Sequence, residues 1–171
     1  MSQHVPSPEA TEIDRLIATV VEQQSRLQLE RFDNDDAWRL GCLLVELGQE
    51  RGLPIAVDIR RHGHQLFHAS LPGTVPDNDS WIARKARTVD RFGVPSYLVG
   101  LRHRRKGTEF GEDGGLDLRD YAAHGGAFPL TLRDVGVIGT VTVSGLAQAD
   151  DHALVVEALE MFLTPDPEAT R

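Results

Sequence analysis

The amino-acid sequence predicts one α+β domain built on an antiparallel sheet with flanking helices. Three observations carry this. Apolar periodicity along the chain runs helix, helix, strand, strand, helix, helix, strand, strand, helix. Neighbouring strands are joined by connections of hairpin length, which suit antiparallel partners. No Gly-x-Gly-x-x-Gly follows the first strand, which disfavours a doubly wound nucleotide fold.

Residues 1–8 read as a flexible tail, with two prolines and little to bury. From Glu9, the positions Ile13, Leu16, Ile17, Val20 and Leu27 give one apolar face to a helix expected to run to about Arg31. Asp33, Asn34 and Asp35 form a cap cluster for a second helix, which carries Trp38, Leu40, Leu43, Leu44 and Leu47 and stops near Gly52. Two short strands, Ile55–Ile59 and Gln65–Ala69, follow, with Gly63 in the turn between them. Two prolines and a glycine make residues 71–78 a loop. A third helix is expected from about Asp77–Asp79 to Phe92 and a short fourth from Ser96 to Arg105. Residues 107–115, rich in glycine and acid, read as a mobile loop. The strands Ala127–Leu132 and Val135–Val143 flank the tight connection Arg133-Asp134. Asp150 and Asp151 open a last helix whose Leu154, Val155, Ala158, Leu159 and Phe162 share a face, and residues 165–171 are expected to form a tail. The domain proper is thus expected at 32–164, preceded by an N-terminal helix at 9–31.

Composition narrows the function classes. At 171 residues with 40% hydrophobic and 26% charged residues, the chain is long enough to bury one sizeable core. No apolar run approaches the length needed to cross a bilayer, so no membrane partner is expected. The first eight residues lack the basic start and apolar stretch of a secretory signal, and the single cysteine, Cys42, excludes an intramolecular disulfide. A cytoplasmic location fits best. The net charge of −8 argues against nucleic acid as a partner, although residues 84–106 carry +7 and leave −15 for the rest. A local anion site is compatible with that asymmetry.

Candidate chemistry centres on the third helix. Ile82, Ala86 and Val89 fall on one side and Arg84, Arg87 and Arg91 on the other, yet Lys85 sits on the apolar side. A lysine there must snorkel, meet a carboxylate such as Asp58, or meet a ligand anion. Asp58 interrupts an apolar strand on the face opposite Val57 and Ile59, with Arg60 as its nearest partner. His124 precedes the pair Gly125-Gly126, which lets backbone approach closely. It is open to reading as an axial ligand, an acid or base, or a turn residue. His62, His64 and His68 lie around one hairpin but lack the spacing of a zinc site, so no metal is assigned. Ser144-Gly145 lacks the Gly-x-Ser-x-Gly of a nucleophile elbow, and Cys42 lies among leucines as a core residue does.

Several segments resemble a known family. Gly52-Leu-Pro-Ile-Ala-Val-Asp-Ile-Arg-Arg61, Gln65-Leu-Phe-His68, Leu71-Pro-Gly-Thr74, Pro76-Asp-Asn-Asp79, Trp81-Ile-Ala-Arg-Lys85, Tyr121-Ala-Ala-His-Gly-Gly-Ala-Phe-Pro129 and Val137-Ile-Gly-Thr-Val-Thr-Val-Ser-Gly145 are similar to uncharacterised protein family 0303, a branch of the haem-degrading domain superfamily. The likeness spans about residues 30–163. It implies a profilin-like or PAS-like sheet of about five strands, the fifth near Ala122–Gly125, and assembly into homo-oligomers. It also brings haem into view as a cofactor, with no ligating motif to carry over residue by residue.

Three functions follow as expectations. The first is binding of a small anionic or planar ligand, haem included, at Lys85, His124, Arg84, Asp58, Arg60, Gly125 and Gly126. It requires Lys85 to lie sheltered beside His124 without a permanent carboxylate partner. The second is a non-catalytic, oligomeric interaction module. The third is an enzyme acting on a small carboxylate or phosphate at the same pocket.

Overall fold

Alternation along the central strands decides the layering. In a computed structural model, which describes residues 8–111 and 115–164, nine elements follow in chain order. They are α1 (Pro8–Arg26), α2 (Asn34–Glu50), β1 (Ala56–Arg61), β2 (His64–Ser70), α3 (Pro76–Phe92), α4 (Ser96–Lys106), β3 (Ala127–Leu132), β4 (Gly136–Ser144) and α5 (Gln148–Leu163). The strands form one antiparallel sheet in the order β2-β1-β4-β3. Val57, Ile59, Val141, Val143, Phe128 and Leu130 cluster with Leu40, Leu44 and Leu47 of α2 and Leu154, Val155 and Leu159 of α5. The opposite face carries Asp58, Arg60, Thr140 and Thr142, and α3 crosses it, with Asp79 of its first turn reaching His68 on that side. Helices therefore cover both faces, and Asp58 is buried.

Local chemistry explains the element ends. Asp33 caps α2 by accepting from the Asp36 amide at 2.9 Å, while Asp36 accepts from the Asp33 amide at 3.0 Å, so two otherwise unpaired donors are satisfied reciprocally. Pro76 opens α3 one residue before the expected start, and Asn78 Oδ1 accepts from the Val75 amide at 2.8 Å. Asp134 takes a φ of 61° in the tight β3–β4 connection. In β2 the register slips opposite Ile59 and Arg60, so Leu66 is the extra residue. Leu66 and Phe67 both pack on the apolar core as a result, and Gln65 is free to reach Asp58.

Two expectations need correction. Helix α1 stops at Arg26, not Arg31, because Leu27 and Leu29 are buried in the core and the Leu29 backbone bridges Leu132 in parallel. The Leu29 amide donates to Thr131 O at 2.8 Å, which extends the sheet edge where a helix would have left the leucines exposed. The fifth strand expected near Ala122–Gly125 does not form either. Ala122 donates its amide to Arg84 O and to Thr88 Oγ1, both at 3.2 Å, so that segment is tied to α3 rather than to a strand. Four strands make the sheet among the described residues. The tails expected at 1–8 and 165–171 lie outside the described residues apart from Pro8, as do residues 112–114 of the glycine-rich loop. Among the described residues, no helix is long and apolar enough to cross a membrane.

The N-terminal helix docks by a second, smaller cluster in which Val20 meets Tyr97, Leu98 and Leu101 of α4. Polar contacts add to it, among them Arg105 to Asp14 at 2.6 Å and Arg26 to Glu160 at 2.7 Å, and a third is partly buried. His152 of α5, buried beside the Tyr97 and Phe128 rings, meets Gln23 Oε1 of α1 through Nε2 at 2.8 Å. Donation from Nε2 leaves Nδ1 bare, and that atom has no partner among the described residues. Burial accordingly pushes the His152 pKa down from 6.5 to about 4. Between those values the unfolded chain takes up a proton that the folded chain refuses, so stability falls as pH drops through this window, by up to about 3 kcal/mol. Urea denaturation at stepped pH should register that slope, and His152→Gln should flatten it. An equal slope in both proteins would rule the assignment out.

Candidate functional site

The apolar-side lysine finds its partner inside the protein. Lys85 is 2% exposed, and its Nζ donates to Gly125 O at 3.0 Å, Val143 O at 2.6 Å and Asp151 Oδ2 at 3.1 Å. The other Asp151 oxygen accepts from the Leu146 amide at 2.9 Å. Burial pushes the lysine pKa down and the aspartate pKa up, and each is opposed by the charge of the other. Three acceptors surround Nζ, which matches the three donors of an ammonium and favours the charged pair over the neutral one toward which burial alone pulls. We therefore describe an ion pair whose lysine has no donor left to offer a ligand. This corrects the expectation that Lys85 lacks a permanent counter-charge, and the carboxylate that meets it is Asp151, not Asp58.

The glycine pair is explained by the same packing. A Cβ on Gly126, whose φ is 126°, would overlap Lys85 Nζ and the Val143 carbonyl, and one on Gly125 would overlap the Gln148 carbonyl. The close approach that these glycines permit is made by the chain's own groups. Their neighbour His124 is exposed, however. Ser96 Oγ donates to its carbonyl at 2.5 Å, and Trp81 stands edge-on to its ring with centroids 5.0 Å apart. Partial burial, then the charges of Lys85 and Arg84, lower the His124 pKa, so the imidazole is predominantly neutral at pH 7 and keeps a lone pair free of protons.

Two cavities meet at this imidazole. One, of about 290 Å³, lies between the start of α3 and the β4–α5 turn and is lined by Trp81, Lys85, His124, Ser144, Gln148 and Asp151 among others. The second, of about 340 Å³, opens toward α4 and is lined by Tyr97, Arg104, Phe110, Tyr121, His124 and Gln148 among others. His124 and Gln148 belong to both. The second cavity is the more apolar and holds three aromatic rings, with Arg104 and Glu109 as its charged residues, a lining suited to a planar organic body.

The remaining sequence candidates separate from this site. Arg84 stacks over the Trp81 ring, 4.0 Å from its centroid, and donates to Leu118 O at 3.4 Å, so it supports the cavity wall from outside. Asp58 and Arg60 belong to another cluster, in which Arg60 Nε meets Asp58 Oδ2 at 2.7 Å and Gln65 donates to Asp58 Oδ1 at 2.5 Å. The structure thus brings Lys85, His124, Gly125 and Gly126 together, with Arg84 at the margin. Sequence reasoning took Asp151 only as a dipole-favouring residue. The missed signal is its position three and four residues before Leu154 and Val155, on the buried face of α5. Gln148, Arg104 and the aromatic wall had no local signature, because they converge only through tertiary contacts.

Removing either member of the buried pair leaves an uncompensated charge, so Lys85→Met or Asp151→Leu alone should cost about 3–5 kcal/mol in urea denaturation. The double variant should recover much of that loss. Additive losses would mean that the two charges do not depend on each other.

A family model described as haem degrading protein HbpS-like matches residues 32–160. A UPF0303 protein of Streptomyces coelicolor is 63% identical over 147 residues, 86% of this chain and 93% of the relative. One from Rhizobium etli is 48% identical over 159 residues, 93% and 96% of the two chains. Among solved structures, the crystal structure of Ybr137w protein superposes with a TM-score of 0.83 at 31% identity, over 92% of this chain and 93% of that one. The structure described as a PduOC:heme complex gives a TM-score of 0.64 at 21% identity, over 75% and 93%, a likeness of fold alone.

Proposed function

This chain belongs to the HbpS-like haem-degrading protein family, in its UPF0303 branch, and from that premise we propose that it binds a planar, haem-like ligand at His124 as a homo-oligomer. The observation that carries the reading is the exposed imidazole of His124 at the lining shared by two cavities, one of them aromatic and the more apolar. A haem fits that donor set: an imidazole lone pair is an ordinary haem-iron ligand, Tyr97, Phe110 and Tyr121 offer apolar faces, and Arg104 offers a positive charge to an acidic side group. Bound there, haem would supply iron for redox or oxygen chemistry. The chain's own part is to orient the imidazole, through the Ser96 bond to its carbonyl and the Lys85 bond to the next one. At about 290 and 340 Å³ each cavity alone is at the small end of ligand sites, so a macrocycle would need space on both sides of the His124 and Gln148 that line the two.

The ligand's anionic character, in this reading, is met by Arg104 and not by Lys85, whose donors are all engaged. We place the functional domain at 32–164, with a profilin-like or PAS-like sheet, and the protein in the cytoplasm, where its single thiol Cys42 would stay reduced. The saturation of Lys85 favours a second reading, a non-catalytic interaction module, over an enzyme that would use this lysine on a carboxylate or phosphate.

Titration of purified protein with hemin should give a saturable Soret shift. His124→Ala should abolish the shift, and Arg104→Ala should weaken binding several-fold while leaving the shift intact. An unsaturable response, or a His124→Ala variant that titrates like wild type, would reject haem at this site.

A further inference from the structure

The two edges of the sheet are treated differently. At the β3 edge the Leu29 segment covers the end of the strand, through its bridge to Leu132 and the bonds Leu29 N to Thr131 O and Arg133 N to Leu29 O. At the other edge β2 pairs with β1 alone, and its outward amides and carbonyls face no strand among the described residues. Natural proteins blunt such an edge with lysine, proline or inward-pointing charge, because unpaired backbone groups recruit another strand. His64-Gln-Leu-Phe-His-Ala-Ser70 contains no Lys, Arg, Asp, Glu or Pro.

An apolar lane lies beside this edge. Trp38 of α2 is 64% exposed and meets the ring of Phe67 edge-on, with centroids 5.8 Å apart. Phe67 in turn sits against Gly41, where any Cβ would collide with the ring. Cys42 and Val45 continue the stripe at helical spacing, each only partly buried, and Gln49 follows them. Lane and strand carry no Lys, Arg, Asp or Glu, on a chain whose net charge is −8, and the carboxylates that meet the strand, Asp79 against His68 and Asp58 against Gln65, lie on the sheet face opposite the lane. An exposed tryptophan over a ring at the margin of an unpaired strand has the composition of an interface centre, not of a solvated face.

We propose that β2 pairs antiparallel with β2 of a second copy of this chain, with the Trp38 lane of each copy meeting that of the other. This names the contact surface of the homo-oligomer in the functional reading above and rests on that part of it. The occupant follows from symmetry and charge. Antiparallel pairing of a strand with itself places a two-fold axis perpendicular to the sheet, so each face stays on its own side and α2 adjoins α2 of the partner. The two lanes are then identical, apolar and uncharged. Self-association of two anionic chains is least opposed where neither carries charge. Backbone pairing supplies hydrogen bonds, and burial of two tryptophans supplies apolar contact, so the interface joins a polar and an apolar contribution.

Sedimentation velocity on the full chain at micromolar concentration, combined with hydrogen exchange of the β2 amides, tests the surface. Wild type should sediment as an even multiple of the chain with outward β2 amides protected. Trp38→Glu should halve the mass and unprotect those amides, with an unchanged circular dichroism spectrum as the check on folding. Val135→Glu, at an exposed apolar residue in the β3–β4 connection, should change neither reading. A wild-type monomer with exchanging β2 amides would overturn both the surface and the homo-oligomer. An oligomer whose mass and β2 protection survive Trp38→Glu would overturn the surface while leaving the homo-oligomer standing.

Discussion

The buried pair between Lys85 and Asp151 holds four parts of the fold in one place. Through three donors and two carboxylate oxygens it joins α3, the segment at Gly125, β4 at Val143 and the turn into α5 at Leu146. Desolvating two charges costs several kcal/mol each, and their attraction offsets this only when the remaining polar atoms are also satisfied. Here they are, and the backbone carbonyls of Gly125 and Val143 accept from the same ammonium. Gly126 is the steric consequence: no side chain fits between that ammonium and the Val143 carbonyl.

The exposed imidazole of His124 depends on this arrangement. Its main chain is pinned from one side by Ser96 and, one residue on, by Lys85, so the ring emerges against Trp81 at a fixed point on the surface. The lysine also acts electrostatically. Its charge, with that of Arg84, adds to partial burial in keeping His124 neutral, which preserves a lone pair for coordination. A residue that sequence alone suggests as a ligand contact thus serves by positioning and by charge.

Much of the fold was legible because the signals were local. Strand alternation in Ile55–Ile59 and Val135–Val143, the Asp33 cap and the apolar face of α5 each repeat within a few residues. What failed was non-local. Helical spacing extended α1 to Arg31, yet Leu27 and Leu29 also read as alternating, and only the sheet edge decides between the two patterns. The site shows the same division. Lys85 and His124 stood out by chemistry in their own segments, whereas Asp151, Gln148 and the aromatic wall come from elements far apart in sequence, and Asp58 was answered by its neighbour Arg60 at short range.

The charge state of Lys85 is the most direct test of this picture. Nitrogen-15 NMR of its side chain at neutral pH should give an ammonium resonance whose protons exchange slowly, since all three are held by acceptors away from solvent. A neutral amine signal, or ammonium protons that exchange as fast as those of a surface lysine, would contradict it.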